Sequence, residues 1–196
     1  MEDKIFENKF FTLVKPFLSL IDKGALYKKP FGWLYVLIAV INLLAPLWVF
    51  YLAIKNHIFD APAKFIFAFL FVWFFVVFAG WVSFQIWWNR KDKVQQTSLE
   101  DSDFPATPVI SHLIQTFGEW LGIWTAIVGF GFAFFSTIFL GEEASYFANS
   151  LGLPIVQSGI LSMILMPVYG FMIIVFSRFI AEQIRAIACI ANNTKR

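Results

Sequence analysis

Residues 65–82 read Phe-Ile-Phe-Ala-Phe-Leu-Phe-Val-Trp-Phe-Phe-Val-Val-Phe-Ala-Gly-Trp-Val, without a charged or hydrogen-bonding aliphatic side chain among them. A strand of a membrane barrel alternates apolar and polar residues over roughly 10 positions, and this run does not alternate. A helix that is apolar on every face is either wholly buried or in contact with lipid. In lipid every backbone N–H and C=O must be satisfied internally, which leaves helices and closed barrels as the only spanning structures. The run therefore reads as a membrane-spanning helix.

Working outward, the charge-free region extends from Phe65 to Asn89, and three more such stretches follow the same rule: Phe31–Ile54, Trp120–Gly141 and Ala144–Ser177. Each meets the length of about 20 apolar residues that a span needs. The last is too long for one crossing, and Asn149, Gly152, Pro154 and Gly159 interrupt it. The expected fold is an all-α polytopic membrane protein with four transmembrane helices at about 33–54, 64–88, 117–140 and 159–180. These make up a membrane domain over 31–192, with a cytoplasmic loop at 89–116 and an external segment at 141–158. A short interfacial helix near 108–115 is expected to lead into the third span, because Thr107 and Pro108 resemble a cap and a first-turn proline. Thr116 and Glu119 have the spacing of a capping box.

The composition agrees. Of 196 residues, 59% are hydrophobic and 14% charged, whereas a soluble domain carries about 25% charge. The basic residues set the orientation. Of the 15 Lys and Arg, six lie in 1–29, three in 90–93 and four in 178–196, which leaves only Lys55 and Lys64 on the opposite side. Both termini are thus expected in the cytoplasm. Met1–Phe11 mixes acids with lysines and lacks the short apolar core and cleavage site of a secretory signal, so the first span is expected to act as an uncleaved signal anchor. The single cysteine, Cys189, excludes an intramolecular disulfide framework.

Ahead of the first span, residues 4–21 place Ile5, Phe6, Phe10, Val14, Phe17, Leu18 and Ile21 on one apolar stripe. This predicts an amphipathic helix lying in the cytoplasmic interface. It reads as an anchor covering the base of the helices, with recruitment to anionic lipid or to a soluble partner as the other reading. Pro46 in the first span and Pro167 with Gly170 in the last predict kinks.

The third span carries the most specific pattern. At about 100° per residue, Gly118, Gly122, Thr125, Gly129, Ala133 and Ser136 fall within about 80° of one another. Such a stripe lets helix backbones approach closely and marks a packing interface, either inside the bundle or between subunits. Polar groups inside or beside the spans are few. Asn42, Glu119, Arg178 and Glu182 form the candidate pore or polar network. Arg178 and Glu182 stand four apart on one helix face, which reads as an ion pair at the interface where the last helix leaves the bilayer. Glu119 is expected near the headgroups at a helix N-terminus.

Catalytic chemistry is hard to assemble. His57 and His112 fall on opposite sides of the membrane, and no cysteine cluster accompanies either as a metal ligand. His112 has no evident partner beyond Ser111 and loop acids, and no phosphate-cradling glycine loop is present. The expectation is a protein without catalytic, cofactor or metal residues and without a nucleic-acid partner. Its partners are the lipid bilayer, copies of itself or another membrane-complex subunit, and a cytoplasmic protein.

The segment Pro16–Asp22 with Pro30 and Trp33-Leu34-Tyr35 resembles the opening of short, uncharacterised bacterial multi-span membrane proteins grouped only as a domain of unknown function. So does the closing run Arg178–Glu182 with Ile190-Ala191-Asn192-Asn193-Thr194. The likeness covers the two ends, and the long centre of this chain, including 89–116, departs from it. It implies a bacterial inner-membrane protein and no activity. The function expected from the sequence is a non-enzymatic oligomeric scaffold or accessory subunit that presents a cytoplasmic docking face. The alternative is a small oligomeric channel with Glu119 near its cytoplasmic mouth.

Overall fold

A computed structural model of the chain describes residues 14–16, 25–97, 106–141, 143 and 159–194. It shows four long helices: α1 (Ala25–Lys55), α2 (Ala63–Thr97), α3 (Ala106–Leu140) and α4 (Ile160–Thr194). All four are long and apolar enough to cross a membrane, and no strand occurs among the described residues. Phenylalanine and valine are mediocre helix formers in water. In lipid the demand for internal backbone hydrogen bonds overrides that preference.

The helix ends follow local chemistry. His57 adopts a left-handed backbone (φ 56°) just after α1, and a single 3₁₀ turn, Ile58–Asp60, leads into α2. Gly141, also left-handed at φ 56°, ends α3, with its N–H on the Thr137 carbonyl at 3.2 Å. That is the terminating conformation glycine adopts without a Cβ penalty. An ion pair between Lys64 and Glu143, 2.6 Å apart, ties the start of α2 to the chain just beyond α3.

Two expectations change. The polar loop at 89–116 is largely helical, because α2 continues to Thr97 and α3 begins at Ala106. Residues 90–97 contain neither proline nor glycine, and their lysines and glutamines are good helix formers. The separate interfacial helix at 108–115 is the first part of α3 itself. Pro108 lies in the first turn, where its missing N–H costs no hydrogen bond. Thr116 and Glu119 are consequently mid-helix and cap nothing. The amphipathic helix expected over 4–21 lies outside the described residues apart from 14–16, which are helical. The external segment 141–158 lies outside them apart from Gly141 and Glu143.

Packing follows chain order: α1 on α2, α2 on α3, and α3 on α4. The α2–α3 seam is a phenylalanine ladder, with Phe71 stacked on Phe135 at a centroid distance of 4.7 Å and on Phe139 at 5.6 Å. The α3–α4 seam is glycine-based. A Cβ added to Gly122 would collide with the Gly170 carbonyl, and one added to Gly170 would collide with that of Gly122. A Cβ on Gly118 would run into Ser177, and one on Gly129 would come within 2.9 Å of the Met166 sulfur. In the α1–α2 seam Gly80 faces the Asn42 carbonyl, 2.7 Å from where its Cβ would be. Pro46 has no N–H to offer that carbonyl, so the glycine lets a neighbouring helix close over it.

The outer faces carry large apolar side chains, among them Phe74 at 64% exposed, Phe171 at 63% and Ile160 at 74%. Apolar exposure on this scale marks a surface made for lipid or another protein rather than water.

Candidate functional site

Ser111, His112, Gln115, Thr116 and Glu119 recur at three- and four-residue spacing on α3, so they share one side of the helix. The neighbouring helices converge on that side. Glu119 is 5% exposed. One of its carboxylate oxygens accepts from Arg178 Nε of α4 at 2.8 Å, and the other is paired with the guanidinium of Arg90 of α2. Gln115 Nε2 also donates to Glu119, at 3.1 Å, while Gln115 Oε1 accepts from Arg185 Nη2 at 3.0 Å.

Next to this charge cluster lies a neutral one. Tyr35 of α1 is fully buried, donates to Thr116 Oγ1 at 3.3 Å, and lies 3.1 Å from His112 Nδ1. Thr116 Oγ1 also accepts from Arg90 Nη1 at 3.2 Å and donates to the His112 carbonyl at 2.8 Å. Trp87 packs edge-on against Tyr35 at 4.8 Å. Ser111 Oγ donates to the Ala181 carbonyl of α4 at 2.9 Å. These groups form one polar layer joining all four helices.

Helix geometry fixes its depth. At about 1.5 Å per residue, Glu119 lies about 31 Å from Leu140, and Arg178 about 27 Å from Ile160. The hydrocarbon core is about 30 Å thick. Counted from the ends of α3 and α4 nearest the Lys64–Glu143 pair, the layer therefore lies about one hydrocarbon thickness along the helices.

One turn deeper is a second polar point. Asn42 Oδ1 accepts from Trp120 Nε1 at 2.7 Å and from Trp124 Nε1 at 3.1 Å, and its Nδ2 donates to the Ile38 carbonyl at 2.8 Å. The side chain is satisfied within the bundle and connects α1 to α3.

Several expectations are corrected by this geometry. Glu119 is far inside α3, not at a helix N-terminus, and its charge is balanced by two arginines. Arg178 reaches across to Glu119, and among the described residues no ion pair joins it to Glu182. Glu182 is exposed outside the layer. His112 does have partners, Tyr35 and Thr116. In the small-residue stripe, Gly118, Gly122 and Gly129 lie against α4 of the same chain. Ala133 and Ser136 are buried, and Thr125 bonds its own helix through the Leu121 carbonyl at 2.9 Å.

Spacing on α3 alone signals the layer, since positions 112, 115, 116 and 119 line up. The roles of Arg90, Tyr35, Trp120 and Trp124 depend on interhelical contacts that no local spacing carries. Among the described residues no group of three or more His, Cys, Asp or Glu is arranged to hold a metal ion. Near the other end, α1, α2 and α3 line an apolar cleft of about 510 Å³, where Asn56 and Ser136 are the only polar residues among the described ones.

Fold and layer together define a multi-pass helical membrane protein. No family model matches the chain, and neither a curated protein nor a solved structure matches it.

Proposed function

We infer that the protein is a non-enzymatic scaffold or accessory subunit of the bacterial inner membrane, with both termini in the cytoplasm. The observation that carries this reading is how the charges inside the helices are used. Glu119 is taken up by Arg90 and Arg178, and Asn42 by Trp120 and Trp124. Buried polar groups fully engaged with one another rigidify a fold and specify one arrangement. Meanwhile α1 and α4 stand at opposite ends of the row of helices, each with an apolar flank on which a second copy or a membrane partner can pack. The basic distribution supports the orientation, in which the polar layer and the end of α4 would face the cytoplasm as a docking face.

The channel reading requires Glu119 to face an aqueous path shared between subunits, and its enclosure by two guanidiniums speaks against that. Particle mass in nanodiscs, paired with ion flux across reconstituted liposomes, tests the choice. A defined oligomer or stoichiometric partner without flux supports the scaffold. A flux abolished by Glu119→Gln would overturn it in favour of the channel.

A further inference from the structure

We propose that Arg178 and Arg185 on α4 form a binding site for the phosphate of an anionic phospholipid in the leaflet nearest the polar layer. The site needs only a membrane-spanning α4 and does not depend on the scaffold reading.

The layer holds more positive charge than its fold requires. Glu119 supplies one carboxylate, and both Arg90 and Arg178 pair with it. Arg185 adds a third guanidinium whose partners, Gln115 Oε1 and the Ala181 carbonyl at 3.1 Å, are neutral. The arginines are also unequally enclosed. Arg90's side chain is 20% exposed and Arg178's is 54%. Among the described residues Arg178 commits only its Nε, to Glu119, and with the side chain 54% exposed its two Nη groups remain available to a ligand. A guanidinium edge matches two phosphate oxygens through parallel N–H···O bonds.

Depth identifies the source of the phosphate. Arg178 lies about 27 Å along α4 from Ile160, at the edge of a hydrocarbon core about 30 Å thick, and Arg185 about 10 Å further out, among the headgroups. Below Arg178 on its side of α4, Phe171 and Val175 are exposed, a surface along which acyl chains can run. A free phosphate ion would have to leave water to reach Arg178, whereas a lipid phosphate is already at that level. Basic pockets at this depth are known to hold anionic headgroups. Two carboxylates oppose an anion there: Glu119, already committed to Arg178 and Arg90, and Glu182, exposed between the two arginines in sequence.

The test uses the full chain, purified in detergent and titrated with phosphatidylglycerol or phosphatidylcholine, with bound lipid counted by native mass spectrometry. The wild type should retain phosphatidylglycerol in preference to phosphatidylcholine. Arg178→Gln should weaken that binding about tenfold, the loss of one charge-assisted hydrogen-bonded contact. Glu182→Gln should strengthen it, which a purely structural role for Arg178 would not produce. Should Arg178→Gln fail to fold, Arg185→Gln removes an arginine with neutral partners and reads the same site. Equal retention of both lipids, or unchanged binding in the arginine variants, overturns the site. Displacement of the lipid by millimolar inorganic phosphate overturns the lipid as its natural occupant.

Discussion

Glu119 on α3 and Arg178 on α4 meet at 2.8 Å although their side chains differ sharply in exposure, 7% against 54%. That inequality sets what each contributes. Removing Glu119 leaves Arg90, 20% exposed, without its counter-charge, and breaking a buried pair from one side costs about 3–5 kcal/mol. Removing Arg178 leaves Glu119 still held by Arg90 and takes away only a half-exposed charge, at about 1 kcal/mol or less. Glu119→Ala should therefore destabilise the protein several times more than Arg178→Gln in denaturant titrations of the detergent-solubilised chain. Equal losses would show that Arg90 does not share the carboxylate.

Asn42 serves two indoles with a single carbonyl oxygen. In Asn42→Leu the Trp120 and Trp124 N–H groups lose their acceptor inside an apolar environment, at about 1–3 kcal/mol for each buried group left unpaired. The variant should unfold at lower denaturant and show altered tryptophan emission. A Trp124→Phe background should recover part of the loss, because one fewer donor is then left unsatisfied. If Asn42→Leu is neutral, the indoles have another acceptor and Asn42 is not what joins α1 to α3.

How far residues announce these contacts depends on whether the contact is local. The four helices are legible because charge cannot cross lipid cheaply, so the charge-free stretches outline them. The Gly118–Gly122 pair is likewise legible as a packing surface, since small residues four apart on a membrane helix have one main use. Arg178 is the instructive failure. Glu182, four residues on, has ideal spacing for an ion pair, while its actual partner lies 59 positions away on another helix. Local spacing cannot rank those two, but burial does. A carboxylate enclosed as Glu119 is must be neutralised where it stands, whereas Glu182 can remain in the headgroup water. The length of α2 is misread for a different reason: a polar stretch after a span looks like a loop even when its residues favour helix.

Gly122 and Gly170 face each other with backbone against backbone, and each is the reason the other must be glycine. Such contacts gain dispersion and Cα–H···O energy that only small residues permit. Gly170→Ala forces its new methyl towards the Gly122 carbonyl and the Ala126 Cβ, the latter 2.6 Å away. Overpacking of this kind costs about 1–3 kcal/mol, and Gly122→Leu should cost more. Because the contact lies within one chain, both variants should lower the unfolding midpoint at every protein concentration. A loss confined to oligomer mass, with the single chain's unfolding unchanged, would transfer the stripe to a subunit interface.

Cys189 offers a direct reading of which way the polar layer faces. It is exposed and lies about 44 Å along α4 from Ile160, well beyond a hydrocarbon core of about 30 Å. As the chain's single cysteine it can be labelled without any substitution. With the basic residues inside, a membrane-impermeant maleimide should leave Cys189 unmodified in intact cells and label it in inside-out vesicles. Asp60→Cys, in a Cys189→Ser background, should give the reverse pattern, since Asp60 lies in the turn between α1 and α2 at the other end. Labelling of Cys189 in intact cells would turn the protein over. Arg90, Glu119 and Arg178 would then lie at the outer leaflet, and no cytoplasmic partner could use that face.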